Sequence, residues 1–224
     1  MRDCGDRRTL ASTYLDAKRA VIEAGWAWEI DWQASLKLDC LTEPVFLREA
    51  AWVILCAGMK ETVVRSRFAE VSDAFLGWCS ARGIVEARRA CRRRALSAFK
   101  NVHKIDAILS VADRVAVLSF DWIRTQVFEQ GVKYLQRLPF IGPVTSFHLA
   151  KNLGLQLAKP DRHMVRIAAA FGFSSVQSLC EVIASEVCDS VAVIDVVLWR
   201  YATLHSDYRD RLTRLHRNIS ITKP

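Results

Sequence analysis

Leu138-Pro139-Phe140-Ile141-Gly142-Pro143-Val144-Thr145 is a stretch that one helix cannot cross unbroken. Pro139 lacks a backbone N–H and collides with the preceding helical turn, and Gly142 offers the backbone angles that a tight hairpin needs. Pro143 then suits the first position of a new helix, where its missing N–H has no partner to lose. Working outward, Asp121 to Arg137 carries Ile123, Val127, Val132 and Leu135 at helical spacing. A second apolar-periodic run goes from Pro143 to about Leu153, with Gly154 as its C-terminal stop. The stretch predicts two helices joined by a hairpin, and the start of the second presents unpaired N–H groups that suit a phosphate oxygen.

Behind Pro160 comes Asp161, ahead of a third periodic run (Met164, Val165, Ile167, Ala168, Phe171) closed by Gly172. A carboxylate there caps the helix, accepting from the orphan N–H groups of its first turn. Together, Leu138 to Thr145 and Asp161-Arg162-His163-Met164-Val165-Arg166 resemble the helix-hairpin-helix DNA glycosylases. The signature of that family is L-P-G-I/V-G-x-x-T-A followed by D-x-H-x-x-R. The likeness extends from about Phe46 to Tyr201 and is specific only in this central part.

The resemblance implies that Leu138, Pro139, Phe140, Ile141, Gly142, Pro143 and Thr145 grip the DNA backbone, with K+ or Na+ held by hairpin carbonyls. It makes Asp161 the catalytic aspartate. Two departures bear on the chemistry. Phe140 stands where the family usually has its first glycine, and Val144 stands where bifunctional members carry the lysine that attacks the sugar. The implied enzyme is therefore monofunctional: it removes a base and leaves the strand intact. The cysteine-rich iron–sulfur loop of some members is also missing, because only Cys180 and Cys188 lie in that half.

Composition is compatible with this. A chain of 224 residues, 51% hydrophobic, can bury one sizeable core or two smaller lobes and does not read as disordered. The expected organisation is a single glycosylase unit over residues 1–224, with lobes at 35–118 and at 11–34 plus 119–224. A net charge of +8 favours a polyanionic partner, since neutralising phosphates releases condensed counterions. Seven cysteines without a C-x-x-C pair suggest neither a metal site nor a disulfide framework. No long apolar span or leader opens the chain, so a cytoplasmic monomer acting on double-stranded DNA, away from membranes, is the expectation.

Along the chain, the pattern is helical almost throughout, and the fold class expected is all-α. Residues 1–10 are polar and read as loose; Thr13 to Ala24 reads as a helix stopped by Gly25. Trp26, Trp28 and Trp32 follow, either as core or as a stacking wall for an extruded base, with Glu29 or Asp31 reading the base edge. Val45 to about Ala57 reads as a buried helix, and Glu49 and Trp52 on it can face a base pocket together. At the junction after it, Met59 is the candidate wedge for the flipped-out gap or else a core filler, with Lys60 beside it. A helix is expected from Val63 to about Cys79.

Between Glu86 and Lys104 lies the densest positive charge: Arg88, Arg89, Arg92, Arg93, Arg94, Lys100, His103 and Lys104. It is either a solvated face or a phosphate track, with Arg92 and Arg93 as the DNA-contact candidates. Helices are expected at Ala107–Leu118, Val176–Ala184 and Val191–Leu204, where Asp195 should hold an arginine or a backbone group.

The expected activity is hydrolysis of an N-glycosidic bond after base flipping, Asp161 stabilising the oxocarbenium-like sugar and orienting water. The alternatives are a non-catalytic helix-hairpin-helix DNA-binding protein, a defence glycosylase acting on hypermodified phage bases, and a lyase using Lys151 or Lys159.

Overall fold

The computed structural model describes the backbone of residues 4–221 and the side chains of residues 6–216. Every regular element among the described residues is helical, so the protein is all-α. None of these helices is long and apolar enough to cross a membrane. The chain divides into two compact units, one of Lys37–Leu155 and one of Met1–Leu36 with Gln156–Pro224. The boundary expected at 118 thus falls at 155, because the segment between packs on the helices before it.

The unit Lys37–Leu155 contains α3 (Glu43–Cys56), α4 (Glu61–Ala74), α5 (Ala81–Glu86), α6 (Arg88–Ala98) and α7 (Val102–Leu118), then α8 (Phe120–Gln130), α9 (Val132–Leu135) and α10 (Pro143–Asn152). Its core is built on α3, where Phe46, Leu47, Ala50, Ala51, Val53, Ile54 and Leu55 are buried. α7 and α10 pack against α3, and α9 packs against α10. A helix this apolar on nearly all sides reads as central in sequence and is central in fact. Its C-terminal carbonyls are closed by an unexpected partner: the buried Lys104 ammonium donates to Leu55 O at 2.5 Å and Ala57 O at 2.7 Å.

Two helix expectations are corrected here. The run expected from Asp121 to Arg137 breaks at Gly131 (φ 52, ψ −127), which divides α8 from α9. The helix expected to reach Cys79 stops at Ala74, where Leu76, Gly77 and Trp78 take positive φ in a tight turn. Trp78 leaves the helical path to stack on Phe75, ring centroids 5.0 Å apart, and to donate its indole N–H to Ser72 Oγ.

Gly154, which ends α10, has φ +96, and a Cβ there would stand 2.6 Å from Leu38 N and 2.7 Å from Lys37 C. Both obstacles are backbone, so neither can swing away. Gly154→Ala is expected to lower stability by about 2–4 kcal/mol, combining left-handed strain with overpacking. Gly58→Ala is the control: φ is also positive but nothing lies within 4 Å, so about 1 kcal/mol is expected. Urea midpoints of both variants check this, and equal losses would contradict it.

The other unit contains α1 (Cys4–Val21), α2 (Ala27–Ser35), α11 (Arg162–Ala170), α12 (Val176–Ala184), α13 (Val191–Leu204) and α14 (Tyr208–Ile221). Its core joins Leu10, Tyr14, Ala17 and Val21 of α1 to Met164 and Ile167 of α11, Leu179 and Ile183 of α12 and the apolar faces of α13 and α14. α1 therefore starts well before Thr13, drawn out by burial of Leu10 and Ala11; of the stretch expected to be loose, residues 1–3 lie outside the described residues. α1 closes in a π-turn at Ile22–Trp26 with Gly25 at φ 85, which redirects the chain into α2. Asp189 fastens α1 by accepting from Tyr14 Oη at 2.6 Å and Lys18 Nζ at 2.7 Å.

Candidate functional site

The turn between α9 and α10 forms as the prolines and glycine dictate, with one exchange of roles. Ile141 N donates to Leu138 O at 3.2 Å, closing the turn, and it is Phe140, not Gly142, that takes the left-handed backbone (φ 63). Gly142 is extended (φ −93, ψ −172) and makes the N-cap of α10. Its N–H donates to Thr145 Oγ1 at 2.7 Å, and its carbonyl accepts from Ser146 N at 2.9 Å. A Cβ on Gly142 would meet nothing nearer than 3.9 Å, so the fold itself does not demand glycine there. What the glycine does provide is bare backbone at the surface.

Leu138 and Ile141 are buried anchors, while Phe140 and Val144 are exposed large side chains. Pro143 opens the helix, and the N–H groups of Val144 and Thr145 in its first turn have no intrahelical acceptor. Among the described residues, no donor is bonded to the carbonyls of Pro139, Phe140 or Ile141.

Asp161, in the other unit, is the N-cap of α11. Its Oδ1 accepts from His163 N at 2.9 Å and Met164 N at 3.1 Å, and its Oδ2 has Lys159 Nζ at 3.8 Å. The backbone leading into it is held on both sides: Ala158 N donates to Gln177 Oε1 and Lys159 N to Asp195 Oδ1, each at 2.8 Å. Asp195 holds a backbone group from the middle of α13, where it is 1% exposed. Gln177 carried no signal in the sequence, since a surface-looking glutamine in a helix has no pattern to mark it.

Arg162 and Arg166 are exposed on the first turns of α11. His163 rests its ring edge-on to Tyr208, centroids 5.5 Å apart, and burial pushes its pKa down, which favours neutral imidazole.

The tryptophan cluster is divided in its roles. Trp26 lies under the Arg200 guanidinium, 3.5 Å from the ring centroid, and Trp28 is nearly half exposed with its ring 5.7 Å from that of Trp26. Trp32 is half-buried and Asp31 exposed. Glu29 does not face outward to read a base: it is buried and takes both Nε and Nη2 of Arg200 at 2.7 Å. That correction has a simple cause, because a buried carboxylate needs a cation and α13 supplies one.

In the unit of α3, Glu49 is 3% exposed and bonded to Arg48 and, at 2.8 Å, to Asn152 Nδ2. Trp52 is edge-on to Phe68 at 5.0 Å and covered by Arg65 at 5.3 Å. The two residues share a helix but each is engaged within the unit. Burial raises the Glu49 pKa, against the opposing pull of Arg48 and Asn152. A raised folded-state value means that the group stabilises fully below its unfolded pKa, near 4.5, and that this is lost as pH rises through the folded value. Glu49→Gln keeps an acceptor for Asn152 and removes the titration. The stability of the variant should therefore gain on wild type as pH rises above 4.5, seen in thermal midpoints across pH; parallel curves would contradict this.

Met59 and Lys60 are exposed at the α3–α4 junction, after Gly58 at φ 68. Of the basic run, Arg92 is bound to Asp106 at 2.6 Å and Arg88 to Asp113 at 2.6 Å, so Arg92 is not a loose phosphate contact; Arg93 is exposed. No group of three His, Cys, Asp or Glu able to hold a metal ion occurs among the described residues. Compared with known protein families, curated proteins and solved structures, the chain matches none.

Proposed function

We propose that the protein is a monofunctional DNA glycosylase of the helix-hairpin-helix kind. The observation that carries the reading is the setting of Asp161. Two amides commit one carboxylate oxygen, two side chains from α12 and α13 hold the approach to it, and among the described residues the second oxygen meets only Lys159 Nζ, at 3.8 Å. A carboxylate so immobilised can stabilise the positive charge that develops on deoxyribose as the base departs, without reorganising first. The same oxygen can orient the attacking water.

The turn before α10 supports the same reading. The left-handed Phe140 takes the backbone angle for which the family's usual glycine is suited, and the first-turn N–H groups of α10 are donors for a phosphate oxygen. The carbonyls of Pro139, Phe140 and Ile141 are the oxygens that would hold K+ or Na+, which would add positive charge beside that phosphate. Arg162 and Arg166 add positive charge on the helix that Asp161 caps. Among the described tryptophans, Trp28 is the most exposed and so the one open to stacking on an extruded base.

A damaged, alkylated base or a hypermodified base of phage DNA is the substrate class. The test is incubation with DNAs carrying each, followed by assay for free base, strand scission and borohydride trapping. Free base with an intact strand and no trapped adduct supports the reading. A trapped adduct would instead assign a lyase acting through Lys151 or Lys159. Tight binding without release from any substrate would leave Asp161 as a helix cap in a non-catalytic DNA-binding protein.

A further inference from the structure

We infer that the outward face of α6 is a second, sequence-independent contact for the phosphate backbone of duplex DNA, an inference that rests on the DNA-acting reading above. α6 contains no acidic residue. Its arginines divide by direction. Arg88 and Arg92 reach α7, where Arg88 Nη1 donates to both carboxylate oxygens of Asp113 at 2.7 and 2.6 Å and Arg92 donates from Nε and Nη2 to Asp106 at 2.6 and 3.1 Å. Cys91 and Ala95 are buried beneath the helix.

At about 100° per residue, Arg93 points away from the buried Cys91 and Ala95, and Arg89 and Arg94 flank it on either side, Arg89 and Arg93 about one turn apart. All three are exposed, and none has an ion pair among the described residues. Exposed Lys100 continues the positive charge past the end of the helix.

This division gives the face a use. The two ion pairs to α7 fix the helix, so the free guanidinium groups are presented on a rigid support and less order has to be imposed on binding. The other outward residues, Ala90 and Ser97, are small and would let a duplex come close. A lipid surface fits less well, because an interfacial helix buries large apolar side chains and α6 exposes none. Uncompensated cations on a small-residue face match a polyphosphate backbone.

The test is the variant Arg89→Gln, Arg93→Gln, Arg94→Gln, with Arg88 and Arg92 retained. Its affinity for an unmodified duplex is read by fluorescence anisotropy over about 50–200 mM salt. Loss of three phosphate contacts is expected to make the slope of log affinity against log salt shallower by about 2.7. The urea midpoint should stay at the wild-type value. An unchanged slope overturns the inference, and so does a loss confined to binding of anionic vesicles. Asp161→Asn measured alongside should keep the wild-type slope. A shallower slope without base release from any substrate would therefore uphold the surface while rejecting the glycosylase, and base release with an unchanged slope would do the reverse.

Discussion

Asp161→Asn is expected to abolish base release, by a factor of about 10² to 10³ or more, while the protein folds and binds DNA as before. The magnitude is what preorganised electrostatic groups contribute at a developing charge. Folding should survive because Asn caps a helix about as well as Asp. Its amide oxygen can still accept from His163 N and Met164 N, the two bonds that Oδ1 now receives. The substitution thus separates capping from charge. Single-turnover release rates, with the urea midpoint of each protein, measure the two effects. A rate within a few-fold of wild type would remove Asp161 from the chemistry.

Arg200→Met should give the largest loss of stability. Arg200 is 4% exposed and is the cation that Glu29, itself 8% exposed, holds; its removal leaves a buried carboxylate without that partner. Breaking such a pair from one side costs about 3–5 kcal/mol. The guanidinium also lies over Trp26 at 3.5 Å and Trp199 at 4.8 Å, and those cation–π contacts add about 0.5–2 kcal/mol. Replacing both partners, Glu29→Met with Arg200→Met, should recover much of this, since a well-packed apolar pair avoids desolvating two charges. Urea unfolding of the single and double variants measures it. A single-variant loss below about 1 kcal/mol would mean that the pair is not desolvated.

How much of this the sequence disclosed depended on the range of the forces concerned. The start of α10 at Pro143, its stop at Gly154 and the capping role of Asp161 are local matters of missing donors, positive φ and a short carboxylate, and the residues announce them. The break at Gly131 was hidden because Ile123, Val127, Val132 and Leu135 keep helical spacing across it. Phe140 rather than Gly142 takes the left-handed backbone, a choice set by how Leu138 and Ile141 are both buried across the turn. Long-range pairs left no trace. Glu29 looked free to read a base because its partner lies 171 residues away, and Arg92 looked free to track phosphate because Asp106 belongs to the next helix. The fold class was legible; the partners of its charged residues were not.

The proposed activity is cleavage of an N-glycosidic bond with Asp161 as the catalytic carboxylate. The direct measurement is mass spectrometry of small molecules released from methylated, oxidised, deaminated and hypermodified phage DNAs, each treated with wild type and with Asp161→Asn. A free base from one substrate class, seen with wild type and missing with the variant, is the predicted result. Equal release by both proteins, or none from any DNA that the wild type binds tightly, would contradict it.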